Sequence, residues 1–253
     1  MRPEGNKRPR KLKPRREIAG AFEFMDPEKP LTLLVTSVQQ ARQVQERLRS
    51  LVRHVPLRPD RIRLVGAADV TFLGAKEMVA AAIVIYDMVS KEILEERTAV
   101  CLVRFPYVPG YLAFREGPAV TAAWETLSHR PDVMLFDGHG AAHPRRMGIA
   151  SHMGVLLSVP SVGCAKKRLV GEHEPPGLRK GDTAPLTLSG EIAGAAVRTR
   201  AGVKPVYVSP GHLADLPSSI ALVLALCSRY RIPDPARRAH QLTQEIRKAH
   251  REG

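Results

Sequence analysis

The sequence predicts a mixed α/β sheet flanked by helices, and three observations predict it. Three strand-like runs follow one another between Ile62 and Phe105 with only short polar links, the pattern of an antiparallel meander. Beyond them the apolar period changes, and short buried runs alternate with helical stretches. A chain of 253 residues with a hydrophobic share of 44% can fill one sizeable core, with nothing in its length that calls for a second.

In chain order, "RPEGNKRPRKLKPRRE" (Arg2 to Glu17) mixes proline with dense Lys and Arg and has no apolar period. Residues 1–17 are therefore expected to form a basic, disordered tail, and residues 18–253 a single catalytic domain. From Thr36 to Val52, Val38, Ala41, Val44, Leu48 and Leu51 recur at three- and four-residue steps, an amphipathic helix. The three meander strands are "IRLVGAADVTF", "MVAAAIVIYDM" and "EERTAVCLVRF". A helix is expected from Pro118, as a first-turn proline, to Leu127. The buried strand "DVMLFD", a helix from about Arg146 to Leu157 and the strand "SVGCA" follow. Further on, "GEIAGAAVRTR" and "PVYVSP" read as strands and "LPSSIALVLALCSRY" as a helix.

Lys and Arg outnumber Asp and Glu by 39 to 25, a formal charge of +14, which favours a polyanionic partner such as nucleic acid. Cys101, Cys164 and Cys227 are odd in number, widely spaced and without a C-x-x-C pair, so neither a disulfide framework nor a zinc site is expected. The longest apolar run, Met78 to Tyr86, is too short to span a bilayer, and no apolar stretch follows the basic N-terminus. These features predict a cytoplasmic protein without a membrane segment.

Two aspartates stand where burial makes them costly. Asp69 interrupts the apolar strand "GAADVTF", and Asp137 ends "VMLFD" where a strand meets its loop. A carboxylate there must be hydrogen-bonded, paired or bound to a cation. Together with Glu116 in "FREGP" they form a set of hard oxygen ligands suited to Mg²⁺ or Mn²⁺. An Asp on the first antiparallel strand, an acid near the next helix and an Asp at the end of a later strand are what a ribonuclease H-like nuclease sheet requires.

Four strings, "GAADVTF", "RFPYVPGYLAFREGPA", "DVMLFDGHGAAHPRRMGIASHMGV" and "SVGCAKKRLVG", occur in order at compatible spacing and resemble the successive motifs of the endonuclease V family. The similarity runs from about Arg61 to Tyr230. It implies a ribonuclease H-like DNA repair endonuclease that recognises deoxyinosine and, with Mg²⁺ or Mn²⁺ in its place, cuts the second phosphodiester bond 3′ to it. Carried over, it makes Asp69 and Asp137 metal ligands, Glu116 the third acid, and Lys166 and His143 the remaining polar members of the reaction centre. His139 and His152 stay outside the catalytic set, and His212 in "SPGHLADL" resembles a further family segment.

A nuclease that reads a base inside a duplex must lever it out. In "PYVPG", Pro106 and Pro109 stiffen the chain around Tyr107, whose ring can replace a departing base. The resemblance makes Tyr107 the wedge and places Gly110, Leu112 and Gly138 around the extruded base, with Tyr111 bulkier than the aliphatic residue expected beside them. Gly138 and Gly140 are expected to let nucleic acid come close. Arg115, Arg145 and Arg146 are expected at phosphates, the last two at a helix start. The expected partner is deoxyinosine-containing DNA bound by a monomer. The alternatives are an endoribonuclease for inosine in RNA, a glycosylase that releases hypoxanthine, and a non-catalytic protein that binds damaged nucleic acid.

Overall fold

The meander forms as its alternating pattern predicts. In the computed structural model, which describes residues 33–74 and 78–252, β1 (Leu64–Leu73), β2 (Met78–Asp87) and β3 (Glu92–Leu102) pair antiparallel, with Asp69 opposite Ala82. The expected tail, residues 1–17, lies outside the described residues. β4 (Val133–Phe136) then joins β1 in parallel, and β5 (Ser161–Ala165) joins β4 in parallel. Both are buried along their whole length, as parallel strands covered on two faces must be. β8 (Val206–Pro210), β7 (Glu191–Val197) and β6 (Thr183–Leu188) complete an eight-stranded sheet ordered β3-β2-β1-β4-β5-β8-β7-β6.

Helices cover both faces. α2 (Leu112–Glu125) and α3 (Ile149–Leu157) bury Ala119, Val120, Ala123 and Met153 against Ile83, Ile85, Met134 and Phe136. On the other face α4 (Leu216–Ala225) packs Leu222 and Val223 on Leu135, Val162 and Val208. Beside it α5 (Asp234–Glu252) lays Ala239 and Leu242 on Ala82 and Val84. α1 (Val38–Arg49) is closed at its start by Ser37, whose hydroxyl accepts from the Gln40 N–H, while Gln40 Oε1 accepts from the Thr36 N–H. No helix among the described residues is long and apolar enough to cross a membrane.

Two helix starts and two whole elements differ from the sequence expectation. α2 starts at Leu112, so Pro118 is an interior residue, not a first-turn one. Its ring removes one hydrogen bond to the carbonyl four residues earlier, and packing of the buried helix on the sheet outweighs that loss. α3 starts at Ile149 because Gly148 is an extended N-cap (ψ 175°) and Arg146 takes φ +57°. β6 was not expected: Pro185 argues against a strand, yet β6 is the sheet edge, where a missing N–H is tolerated. The charged helix α5 was also not expected, although it bears on the site.

Candidate active site

Strand polarity gathers the acids. β1, β4 and β5 are parallel neighbours, and Asp69 lies towards the C-terminal part of β1, Asp137 directly after β4 and Lys166 directly after β5. The N–H of Asp137 donates to the Ala68 carbonyl at 3.3 Å, which sets its side chain beside that of Asp69. The carboxyl ends of parallel strands are the usual binding edge of such a sheet. Lys166 Nζ donates to Asp137 Oδ2 at 2.5 Å. Because both side chains are partly exposed, the pair adds little to stability.

Glu116, in the second turn of α2, faces the same acids. Burial first, then the charges of Asp69 and Asp137, push its carboxyl up to about 8. Asp69 is also raised, by burial and by Asp137, against the opposing pull of Thr243 and Lys166. Such mutual elevation marks a site short of positive charge. Among the described residues, no three His, Cys, Asp or Glu side chains form a metal cage. Asp69 and Asp137 with Glu116 nearby fit instead a hard cation that keeps water and substrate oxygens in its shell.

Two residues that sequence reading missed complete this cluster, both from α5. Thr243 Oγ1 donates to Asp69 Oδ2 at 2.5 Å, and His240 Nδ1 lies 3.2 Å from the same oxygen. The available signal was the spacing of Ala236, Ala239, Leu242 and Thr243 through a highly charged stretch.

Next to the acids opens a cavity of about 230 Å³, lined among others by Tyr107, Gly110, Leu112, Gly138, His143 and Lys167. It is below the roughly 300–1,000 Å³ usual for drug-sized ligands, and suits a single planar base. Gly138 follows Asp137 and Lys167 follows Lys166, so two chain steps join the cavity to the acids. Tyr107 stands at its rim, 70% exposed.

His143 is engaged by its neighbours in the cavity wall. Its Nε2 donates to the Gly110 carbonyl at 2.9 Å, and its Nδ1 accepts from the N–H groups of Arg145 and Met147 at 3.2 and 3.4 Å. Burial first, then Arg145, lowers its pKa to about 4, so it is a neutral part of the cavity wall near pH 7. Arg145 also turns inward: it donates to the Gly110 carbonyl at 2.7 Å and stacks 4.1 Å over Tyr111. Tyr111 is buried with Phe105 and Phe114 and stays out of the cavity, which removes the expected conflict of size. Arg115 is buried, donates to the Phe105 carbonyl and lies over Phe72, and Arg146 pairs with Glu191.

The remaining predicted residues also take part in the packing and hydrogen bonding of the fold. A Cβ on Gly140 would come 2.1 Å from the Pro210 carbonyl oxygen, so close packing of two loops requires a glycine there. Gly138 lines the cavity, but its missing Cβ makes room for Ile149. His139 donates to the Lys167 carbonyl, His152 sits buried edge-on to Phe114, and His212 is held by Arg53 and Ser161.

The family profile for endonuclease V matches residues 46–241. The chain belongs to the endonuclease V family. It is 48% identical over 213 residues to endonuclease V of Myxococcus xanthus, covering 83% of this chain and 89% of that one. A Roseiflexus endonuclease V is 47% identical over 213 residues, covering 84% and 94%. The crystal structure of Streptomyces avermitilis endonuclease V superposes with a TM-score of 0.82 at 43% identity, over 85% of this chain and 95% of that one. Ciona intestinalis endonuclease V, solved with a 23mer DNA containing an inosine followed by a ribo-adenosine, gives 0.75 at 27% identity, over 85% and 99%.

As an endonuclease V the chain is a nuclease that hydrolyses phosphodiester bonds, and its sheet is ribonuclease H-like. The endonuclease V match ends at residue 241, so His240 falls inside it and Thr243 just beyond.

Proposed function

We propose that the acid cluster and the adjoining cavity form one active site, which seats the hypoxanthine of a deoxyinosine in DNA and hydrolyses the second phosphodiester bond 3′ to it. The observation that carries this reading is the adjacency of a base-sized cavity and the acids, joined through Asp137–Gly138 and Lys166–Lys167. The chain is thereby a deoxyinosine-directed repair endonuclease, in keeping with its family.

Asp69 and Asp137 would hold Mg²⁺, with Mn²⁺ as a substitute, and Glu116 is the third acid of the site. When bound, the ion neutralises phosphate charge and activates water. Lys166, held on Asp137, adds positive charge where the phosphate develops negative charge and needs no proton transfer to do so. Gly110 and Leu112 border the base, and Tyr107 fills the gap that the base leaves in the stack. Arg145 and His143 shape the cavity by holding Gly110.

End-labelled inosine-containing DNA and RNA, incubated with Mg²⁺ and separately with EDTA, test the reading. Metal-dependent cutting of the DNA with hypoxanthine still attached is expected. Released hypoxanthine or full activity in EDTA would overturn it, and cutting of RNA alone would reassign the substrate to inosine in RNA.

A further inference from the structure

We propose that Gln45, on α1, is a positioning residue for lesion recognition: it fastens the Gly110 end of the Tyr107 turn, so that wedge and cavity wall move as one rigid piece. The inference rests on the reading of Tyr107 as a wedge given above.

The carbonyl oxygen of Gly110 accepts from three side chains: Gln45 Nε2 at 2.9 Å, His143 Nε2 at 2.9 Å and Arg145 Nη2 at 2.7 Å. A carbonyl offers two lone pairs, so this oxygen is saturated with donors. Gln45 ties the donors to one another. Its Oε1 accepts from Arg145 Nε at 2.5 Å, and its Nε2 also reaches the Met147 carbonyl at 3.3 Å.

The side chain is 1% exposed, on the helix face that otherwise buries Ala41 and Leu48. An apolar residue would fill that place without desolvating an amide. What the amide adds is direction, linking α1 to both walls of the cavity. Gly110 itself stands at φ +82° and closes the turn, in which the Tyr111 N–H donates to the Val108 carbonyl at 3.1 Å. Tyr107, at the open end of that turn, is 70% exposed, so little packing steadies its ring. A ring that must displace a stacked base needs a stiff support, because any give in the turn lowers the energy the ring can deliver.

Gln45→Met keeps the length of the side chain and removes its hydrogen bonds, and Gln45→Glu keeps an acceptor for Arg145 but removes the donor to Gly110. For both, kcat/KM on inosine in duplex DNA is expected to fall roughly 3- to 10-fold, against less than about 2-fold on the same strand unpaired. The fluorescence of a 2-aminopurine beside the inosine, read with metal omitted, should show less base extrusion in the duplex. Thermal midpoints identify any variant that loses its fold, and the better-folded one decides. Equal losses on paired and unpaired DNA, or no loss on either, would overturn the role of Gln45. Tyr107→Ala is run beside them: if it too lacks a duplex-selective loss, the wedge reading itself fails, whereas a duplex-selective loss there and none at Gln45 removes the clamp alone.

Discussion

The hydroxyl of Thr243 lies 2.5 Å from Oδ2 of Asp69, joining residues 174 positions apart. Only a helix laid across β1 could bring them together, and α5 is that helix. With Oδ2 engaged by Thr243 and His240, the rotation of the carboxylate is fixed.

Thr243→Val, which changes only hydroxyl to methyl, should therefore weaken divalent-metal binding by about 10-fold or more, as loss of an outer-shell partner generally does. Manganese titration followed by electron paramagnetic resonance measures this without reference to turnover. Thr243→Ser should recover most of the affinity. A serine variant as weak as the valine one would mean that packing on the sheet, and not the hydroxyl, is what Thr243 provides.

For Tyr107 the expected role is mechanical. Stacking on a base is worth about 1–3 kcal/mol by alanine substitution, so Tyr107→Ala should weaken recognition of inosine in duplex DNA roughly 5- to 150-fold. Tyr107→Phe should lose little, since the ring does the stacking. At 70% exposure the side chain adds little to the core, and the thermal midpoint of both variants should stay near that of the unmodified protein. A Tyr107→Ala protein that melts early but discriminates normally would make it a packing residue.

The sheet centre and the acids were legible because burial leaves a strong trace: an Asp inside "GAADVTF" and another ending "VMLF" break apolar runs at a cost that demands a partner. The directions of the arginines were not legible. Arg145 and Arg115 read as phosphate contacts from their neighbours in the chain, yet each turns inward to a carbonyl and an aromatic ring, a choice made by tertiary packing. α5 was missed because its apolar face consists largely of alanines among Arg, Gln and Glu, so that the spacing of Ala236, Ala239, Leu242 and Thr243 left only a weak signal. His212 drew attention because "SPGHLADL" resembles a family segment, whereas the histidine that reaches Asp69 is His240.

The arginine geometry leads to a salt experiment. Lys167 and Arg168 line the cavity from its exposed rim, while Arg115 is buried. Removing one cation that neutralises a phosphate should flatten the dependence of log K on log salt by about 0.7–0.9. Lys167→Ala and Arg168→Ala should each have that effect while leaving the preference for inosine over adenine intact. Arg115→Met should leave the slope unchanged and lower the thermal midpoint, since its guanidinium holds the Phe105 carbonyl. A flattened slope for Arg115→Met would restore it as a phosphate ligand.

Glu116 ties stability to pH. Its pKa, ordinarily 4.5, stands at about 8 in the fold. Below about pH 4.5 the carboxyl is protonated folded or unfolded and has no effect. Between that value and about 8 the unfolded chain ionises while the folded one keeps its proton, so the unfolded state binds fewer protons and stability falls as pH rises; above about 8 the loss levels off. Asp69, raised for the same reasons, adds in the same direction. In EDTA the midpoint should drop between pH 5 and 8 by roughly 2–4 °C for each kcal/mol of this penalty. Glu116→Gln removes the ionisation, so its midpoint should vary less over that range and exceed that of the unmodified protein at pH 8, while cleavage declines with the loss of the third acid. Added Mg²⁺ should stabilise the unmodified protein more at pH 8 than at pH 5, because the cation favours the ionised carboxylates. Parallel pH profiles for Glu116→Gln and the unmodified protein would show that Glu116 ionises in the fold as freely as it does in the unfolded chain.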